Sequence, residues 1–402
     1  MRNAVIGIIA GIVIGVVIGV SVIAPRLKAS LPVTAAKVVA ELSQPEVSPA
    51  PPLEESQTSA SAGTPLEPSY LERLVPPPDA PPVIRWRMAS AFAGALPHLG
   101  AQGKRIETEI WRISAGGMEV AFHEPDALVP EKNLFEAVKS GAIDAAFAGP
   151  DAWPLTSPAM QLMGSVPFGP RADEYLAWFY FGGGEKLMSD ITAPMGVQVL
   201  ICGLVAPEGA GWYRRPVKTL EDLKGLRVRM TGLGAKVMSR LGVKTLSLSE
   251  GETFHALETG DIDAAEYSMP AIDQQLGLHR MARNYYFPGW HQPATLLPLI
   301  VNKAKWEALP AAQRSQLRAV CGDNVRHALA EGEALQYRAL LAITKEGVTV
   351  RRWPREILVS LEKAWTETAA AAAKADRDFK RVWDSISRFR ADYAVWRELG
   401  NP

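Results

Sequence analysis

The chain has 402 residues, 48% of them hydrophobic, and its 43 basic residues equal its 43 acidic residues. Composition of this kind supplies enough apolar surface for substantial cores, so disorder throughout is excluded. Balanced charge excludes an overall field that would attract nucleic acid, and an anionic ligand would need a local charge. The two cysteines, Cys202 and Cys321, lack zinc-site spacing and are too few for a disulfide framework. We expect buried free thiols.

The N-terminal segment is long and apolar. Residues 4–24 form an uninterrupted run of 21 uncharged residues, which matches the thickness of a bilayer core. This length favours one N-terminal transmembrane helix that is retained as an anchor, and four glycines spaced four apart form one helix face. The alternative is a glycine-rich signal peptide that is removed.

The next segment is rich in proline. Residues 25–82 contain 13 of the 31 prolines and few large apolar side chains. Such a sequence cannot bury enough surface to offset its ordering entropy, so it predicts an extended linker. The folded part is therefore expected to begin near Val83.

An internal repeat indicates the architecture of the folded part. LFEAVKSGAIDAAFAGP (134–150) and TFHALETGDIDAAEYSMP (253–270) align, with Phe135 on Phe254 and IDAA on IDAA. Each repeat predicts a short helix closed by glycine and followed by a strand. Two such units favour an α/β fold with two similar lobes and a cleft between them.

The second repeat extends upstream into a complete unit. The pattern predicts strands at 226–230, 244–248 and 261–267, with helices at about 233–241 and 252–258. This βαβαβ order implies a parallel sheet, and parallel sheets bind ligands beyond the carboxyl ends of their strands. Arg229, Glu266 and Tyr267 stand at such ends, as do Asp151 and Trp153 after the first repeat.

The residue types at these ends suit a small anion. An arginine offers two parallel donors that match a carboxylate, and aromatic side chains supply the walls of a small-molecule site. Walker, G-x-S-x-G and HExxH motifs are absent from the sequence, so we expect a binding protein and no enzyme. The aromatic candidates are Trp153, Trp212, Tyr267, Tyr286 and Trp290, and His291 stands beside the last of them.

The C-terminal segment, about 355–399, has the composition of a long helix. Such a helix either braces both lobes or packs on another subunit in a homodimer.

Several segments of the chain resemble the solute-binding proteins of TRAP (tripartite ATP-independent periplasmic) transporters, in the branch that binds 2-oxo acids or lactate. They occur in family order and cover nearly all of the folded part. The segments are RWRMASAF (85–92), SVPFGP (165–170), AWFYFGGGEKL (177–187), CGLVAPEGAGWYRRPVKTLEDLKGLRVRM (202–230), ALETGDIDAAEYSMP (256–270), YYFPGWHQP (285–293) and LIVNKAKWEALP (299–310).

The resemblance implies a periplasmic-binding-protein-like fold with hinge strands over residues 83–399. One lobe is expected at about 83–200 and 292–325, and the other at about 203–291. It maps the carboxylate-binding arginine of the family onto Arg229. The implied ligand-binding set is Arg229, Glu266, Tyr267, Trp153, Trp212, Phe92 and Trp290.

The resemblance also implies a Na⁺ or Ca²⁺ ion that bridges ligand and protein. Its expected ligands here are Glu266, Tyr267 through its backbone, and Gln292. The chain departs from the family at two positions, because Leu204 replaces an amide and Gln292 replaces a carboxylate. Losing an oxygen ligand and a charge weakens a site for a hard cation, and Glu266 would then need either a cation or Arg229 as its counter-charge.

The resulting hypothesis is a receptor on the periplasmic side of the inner membrane, anchored by its N-terminal helix. It would capture a small organic acid, a 2-oxo or 2-hydroxy monocarboxylate, by lobe closure and deliver it to a TRAP permease. The alternative is a membrane-tethered sensor or scaffold derived from such a receptor, with a cation-poor pocket.

Overall fold

The computed structural model describes residues 83–149 and 157–400, which form two α/β lobes. The predicted anchor (4–24), the predicted linker (25–82) and Trp153 lie outside these residues. Within the described ranges, no helix has the length and apolar character needed to cross a membrane.

The first lobe is built on a five-stranded sheet with the order β2-β1-β3-β10-β4. Strands β1, β2 and β3 are mutually parallel, whereas β10 runs antiparallel to both β3 and β4. The strands are β1 (Ile84–Ser90), β2 (Met118–His123), β3 (Ala145–Phe147), β4 (Val197–Val205) and β10 (Thr295–Asn302).

The second lobe is built on a six-stranded sheet with the order β11-β9-β5-β8-β6-β7. Strand β6 is parallel to β7 and β8, and β5 runs antiparallel to β8 and β9. The strands are β5 (Trp212–Tyr213), β6 (Arg227–Arg229), β7 (Lys244–Leu246), β8 (Ala264–Ala265), β9 (Asn284–Phe287) and β11 (Thr349–Arg352).

The helices cover the sheets and connect the lobes. Those before β5 are α1 (Leu99–Ile113), α2 (Leu134–Ser140), α3 (Pro158–Gly164), α4 (Ala172–Phe181) and α5 (Gly184–Thr192). Those after it are α6 (Gly232–Arg240), α7 (Glu250–Thr259), α8 (Pro270–Gln275), α9 (Leu278–Met281), α10 (Lys303–Ala308), α11 (Ala311–Lys345), α12 (Arg355–Ala375) and α13 (Arg377–Gly400).

The predicted βαβαβ unit is present as β6-α6-β7-α7-β8. Its three strands are parallel, as the pattern required, and each is shorter than predicted. Helix α7 begins with a capping box, in which Ser249 and Glu252 satisfy each other's backbone N–H groups. It ends at Gly260, whose φ of 81° a glycine adopts without steric cost.

The two copies of the internal repeat share a hydrogen bond from a backbone N–H to the aspartate of the IDAA segment. Asp144 accepts a bond of 2.8 Å from the backbone N–H of Arg87 in the first lobe. Asp263 accepts one of 2.9 Å from the backbone N–H of Arg227 in the second. The aspartate of each IDAA segment therefore ties its strand to the parallel strand beside it in the sheet, β3 to β1 and β8 to β6. Ala89 pairs with the last alanine of the first IDAA segment, as Arg229 pairs with the last alanine of the second. Ala89 therefore occupies the position in the first lobe that Arg229 occupies in the second.

Two short crossings join the lobes between β4 and β5 and between β9 and β10. Residues 206–211 leave the first sheet, and residues 288–294 return to it. The backbone N–H of Gly289 donates to the carbonyl oxygen of Glu208 at 3.1 Å, so the crossings touch. A Cβ on Gly289 would lie 2.2 Å from that oxygen, and one on Gly209 would lie 2.3 Å from the Tyr285 hydroxyl. Glycine is required at both positions.

The expectation of two free thiols is wrong. Cys202 on β4 and Cys321 on α11 form a disulfide across a sequence separation of 119 residues, and both are buried. The long helix α11 lies against β4, where the Asn324 side chain donates to the carbonyl oxygen of Cys202 at 2.6 Å. This packing brings together two cysteines that the sequence shows only as isolated residues.

The C-terminal segment forms two helices that are divided at Asp376. Helix α12 packs on α6 of the second lobe, and α13 packs on α3, α4 and α5 of the first. Trp178 of α4 donates to Ser385 of α13 at 3.2 Å. The C-terminal helices therefore brace both lobes of the same chain, the first of the two roles that the sequence left open.

We expect the Cys202→Ala/Cys321→Ala double variant to lose about 2–5 kcal/mol of unfolding free energy, because the disulfide closes a long loop in the unfolded chain. Denaturant titration with and without dithiothreitol measures this loss. Reductant should destabilise the natural protein and leave the variant unchanged. Two titratable thiols in the unfolded, unreduced natural protein would contradict the pairing.

Candidate functional site

Arg229 is the last residue of β6, beside the carboxyl end of β8. Its Nη1 donates to the carbonyl oxygen of Glu266 at 2.5 Å, and its Nε donates to that of Leu248 at 3.3 Å. The guanidinium lies 4.9 Å from the centre of the Tyr267 ring, and its side chain is 13% exposed. Since a guanidinium has five N–H donors, these contacts hold the group in place and leave donors for a ligand.

Two glutamates and a histidine meet where the crossings pass β8. His291 Nε2 lies 3.2 Å from Glu266 Oε1 and 3.7 Å from Glu208 Oε2. Arg229 Nη1 lies 3.8 Å from Glu266 Oε2. All three side chains of this Glu208–Glu266–His291 cluster are buried, and one ligand atom from each lies within 4.8 Å of the others.

A third buried carboxyl group, that of Asp273, adjoins the cluster through Ser268. The Ser268 hydroxyl donates to Glu208 Oε1, and its backbone N–H donates to Asp273 Oδ1, each at 3.1 Å. Asp273 Oδ2 also accepts from Trp212 Nε1 at 2.7 Å and from the Tyr285 hydroxyl at 3.0 Å. Three acidic side chains are thus buried within one region of the second lobe.

Burial of these acids has an electrostatic cost. Desolvation, together with the nearby Glu266 carboxylate, raises the pKa of Glu208 well above its usual range. Desolvation also raises the pKa of Asp273 to about 7, and the hydrogen bond from Trp212 opposes this shift only in part. Negative charge therefore accumulates here only if a cation compensates it.

Unsatisfied polar atoms identify where a cation fits. Glu208 Oε2, Glu266 Oε1 and both ring nitrogens of His291 are buried and make no hydrogen bond to any described residue, because the 3.2 Å approach of His291 Nε2 to Glu266 Oε1 lacks hydrogen-bond geometry. Carboxylate oxygens are the ligands that Ca²⁺ and other hard cations take, while an imidazole nitrogen suits them less well. The donor set therefore fits a cation held chiefly by the two glutamates.

A small cavity lies beside the cluster and between the lobes. Its volume is ≈ 30 Å³, enough for a water-sized group. Gln161 and Ser165 line it from the first lobe, residues 231–234 line it from the second, and His291 and Gln292 belong to the returning crossing. Lys236 donates to Gln161 at 3.4 Å across the same gap. The two lobes are in contact around this cavity.

The predicted aromatic residues have different surroundings. Trp212 is fully buried in the second lobe, with its ring stacked 3.8 Å from that of Tyr285. Trp290 is buried and stacks on Phe168 of the first lobe at 5.5 Å. Phe92 packs edge-on against Phe147 near the end of β1. Of the predicted aromatic residues that the structure describes, Tyr267 is the one whose ring lies beside Arg229.

The structure also describes Leu204 and Gln292, the two positions at which the sequence departs from the cation-binding pattern of the family. Leu204 is buried in β4, where its backbone exchanges hydrogen bonds with the Gln102 side chain. Gln292 lines the small cavity, and its Nε2 donates to Thr295 at 2.9 Å. Glu208, four residues after Leu204, supplies the buried oxygen that the Leu204 position cannot. Sequence reasoning missed Glu208, although APEGAG shows a lone carboxylate between small residues.

Comparison with known proteins shows the family of this chain. Residues 93–375 match the model of the bacterial extracellular solute-binding protein family 7. The chain belongs to this family of TRAP solute-binding proteins. It is therefore a receptor and not an enzyme. A monocarboxylate 2-oxoacid-binding periplasmic protein of Nostoc sp. (strain PCC 7120) is 31% identical over 319 residues, which cover 79% of this chain and 87% of the relative.

Two solved structures of TRAP solute-binding proteins superpose well. That of Bordetella bronchiseptica RB50, a mixed-occupancy dimer with copurified calcium and picolinate, has a TM-score of 0.77 and 29% identity over 79% of this chain and 95% of its own. That of Colwellia psychrerythraea, with bound calcium and pyruvate, has a TM-score of 0.75 and 26% identity over 79% and 97%. The two-lobed fold of this receptor is thus confirmed.

The buried acids predict an inverse dependence of stability on pH in chelated, ligand-free protein. Because folded Asp273 holds its proton up to about pH 7 and the unfolded side chain releases it near pH 4, the folded state binds more protons in this window. Asp273 alone should lower the unfolding free energy by about 1.4 kcal/mol per pH unit as pH rises between these values. Denaturant titrations from pH 5 to pH 8 measure this slope.

Asp273→Asn should reduce the slope of the unfolding free energy against pH. The control variant Asp392→Asn, at an exposed position, should leave this slope unchanged. Acids with a lowered pKa, such as Asp263 beside Arg227, titrate below this window and do not offset the effect. A stability that rises from pH 5 to pH 8 would contradict the assignment.

Proposed function

We propose that this receptor captures a small 2-oxo or 2-hydroxy monocarboxylate by closure of its lobes and delivers it to a TRAP membrane permease. Arg229 fixes the carboxylate of the ligand, and the Glu208–Glu266–His291 cluster lies next to it. The arrangement of a fixed guanidinium beside buried, unsatisfied carboxylates at the crossings carries this proposal.

Lobe closure is supported by the position of the site. We assign one lobe to about 83–200 and 292–325 and the other to about 203–291, with β11 added to the second sheet. Glu208 and His291 belong to the crossings, Arg229 and Glu266 to the second lobe, and Gln161 to the opposing wall. A ligand at this point contacts both lobes and favours the closed state through its differential affinity.

The ligand class is supported by the relatives. The Nostoc protein is named for 2-oxo acids, and the Colwellia structure holds pyruvate with calcium. A 2-oxo acid presents a carboxylate and an adjacent carbonyl oxygen. Arg229 suits the first through paired donors, and a cation polarises and orients both.

We propose that Ca²⁺ or Na⁺ is held by Glu208 and Glu266, with the Tyr267 backbone as a further oxygen. A TRAP solute-binding protein of Pseudoalteromonas atlantica contains sodium and pyruvate. The cation would supply the positive charge that the two buried glutamates lack and would bridge them to the ligand. Gln292 then acts as a cavity wall and not as the charged ligand that the family motif provides.

The periplasmic side of the inner membrane is the location that we propose. The Nostoc relative is described as periplasmic, and the Cys202–Cys321 disulfide suits an oxidising compartment. Anchoring by residues 4–24 and homodimer formation both stay predictions.

Arg229→Met should weaken binding of pyruvate or a larger 2-oxo acid by ~100-fold or more, because a desolvated carboxylate loses its charged partner at a cost of about 3 kcal/mol. Isothermal titration in the presence of calcium measures the affinity. The exposed Arg215→Met is the matched control and should bind normally. Unchanged affinity in Arg229→Met would exclude this residue as the carboxylate ligand.

Glu208→Gln should weaken Ca²⁺ binding, because a negative ligand charge is removed while an oxygen is kept. The same change should stabilise the chelated protein, since repulsion between Glu208 and Glu266 disappears. Thermal unfolding with calcium and with chelator separates the two effects, and calcium at a hundredfold excess over its Kd should add about 2.7 kcal/mol to the natural protein.

The exposed Glu258→Gln serves as the control for the loss of one negative charge. It should leave both the calcium response and the stability of the chelated protein unchanged. A normal calcium response in Glu208→Gln would remove this residue from the cation site.

A further inference from the structure

A second, larger cavity lies in the second lobe and shares Tyr267 with the surroundings of Arg229. Its volume is ≈ 260 Å³, against ≈ 30 Å³ for the cavity between the lobes. It lies between α7 and the segment that leads through α8 to α9. Apolar and aromatic side chains dominate its lining, which includes Phe254, Tyr267, Leu276 and Leu278.

This cavity distinguishes the second lobe from the first. Phe254 aligns with Phe135 in the internal repeat, and Phe135 is 5% exposed within the core of its lobe. Phe254 is only partly buried and lines the cavity, and a Cβ added at Gly277, between α8 and α9, would lie 3.6 Å from its ring. The repeat therefore packs tightly in one lobe and leaves a space in the other.

Tyr267 belongs to both the cavity and the anion site. Its ring lines the cavity and also lies 4.9 Å from the Arg229 guanidinium, whereas Arg229 is not part of the lining. Its hydroxyl donates a hydrogen bond of 3.4 Å to Glu250, and its ring packs against buried apolar side chains. One aromatic side chain thus stands between the guanidinium and an apolar space.

We propose that this cavity receives the side chain of the bound acid and that Tyr267 turns aside to admit it. This inference rests on the proposed function, in which Arg229 holds the carboxylate. The preferred ligand is then a 2-oxo or 2-hydroxy acid with a branched aliphatic or aromatic side chain. Each methylene buried there strengthens binding ~4-fold.

The charge at the cavity also excludes one class of acid. Glu250 is its acidic group, and it stands where the tail of a ligand would end. A second carboxylate on the ligand would meet this negative charge, and the lining residues that the structure describes include no basic side chain. Dicarboxylic 2-oxo acids are therefore disfavoured.

The test is a ligand series titrated calorimetrically into the full chain with calcium present. The series is pyruvate, 4-methyl-2-oxopentanoate, phenylpyruvate and 2-oxoglutarate. We expect the branched and aromatic acids to bind on the order of 10-fold or more tightly than pyruvate, and 2-oxoglutarate to bind most weakly.

A variant that fills the cavity supplies the specific readout. Gly251 lines the cavity from α7, and a Cβ there meets no atom within 4 Å, so Gly251→Leu is sterically tolerated. It should lower the affinity for the larger acids toward that for pyruvate and so remove their preference. Gly322→Leu is the matched control, because Gly322 is also an exposed helical glycine with open space at its Cβ. It should retain the preference.

The outcomes separate the two proposals. Equal affinity across the monocarboxylates, or tightest binding of pyruvate, would overturn the cavity assignment and leave the receptor function intact. A preference that survives in Gly251→Leu would also overturn it. Failure of every acid to bind, with calcium present, would overturn the proposed function itself.

Discussion

The structure depends on the burial of three acidic side chains beside one fixed guanidinium. Glu208, Glu266 and Asp273 are removed from water where the two crossings meet the second sheet. Arg229 approaches Glu266 but is held by carbonyl oxygens, so it cannot neutralise all of them. Unpaired buried charge is expensive, and a protein keeps it only where a ligand or an ion completes the arrangement. Completion of this arrangement by a ligand or an ion is what we propose for this region.

Features that depend on local sequence were predictable. The βαβαβ unit follows from hydrophobic periodicity and from glycine after each helix, and it placed Arg229 and Glu266 at neighbouring strand ends. Glu208 was not predictable in the same way. Its position depends on how closely two crossings approach, and that approach depends on Gly209 and Gly289 lacking a side chain. Contacts between segments about 80 residues apart leave no periodic signal in either segment.

Residue type was a weaker guide than position. Trp212 and Trp290 were both predicted as walls of the site because aromatic residues line small-molecule pockets. The Trp212 indole N–H donates a hydrogen bond to Asp273, and its ring stacks on that of Tyr285, so Trp212 stabilises the buried acid. The cysteines show the same limit, since the pairing of β4 with α11 that joins them is a tertiary contact. In each case packing determined the role that the residue type left open.

The Cys202–Cys321 disulfide also links α11 covalently to the first lobe. It lies near the start of α11, so this end of the helix is fixed to β4 and travels with the first lobe. The far end reaches Ile343 in the core of the second lobe, and α12 and α13 cross back with a break at Asp376. On the lobe closure that we propose, the change in angle between the lobes is taken up at the far end of α11 and at this break. The Cys202–Cys321 disulfide thereby fixes one end of the 35-residue helix α11 to the first lobe, while the other end of the helix lies in the second lobe.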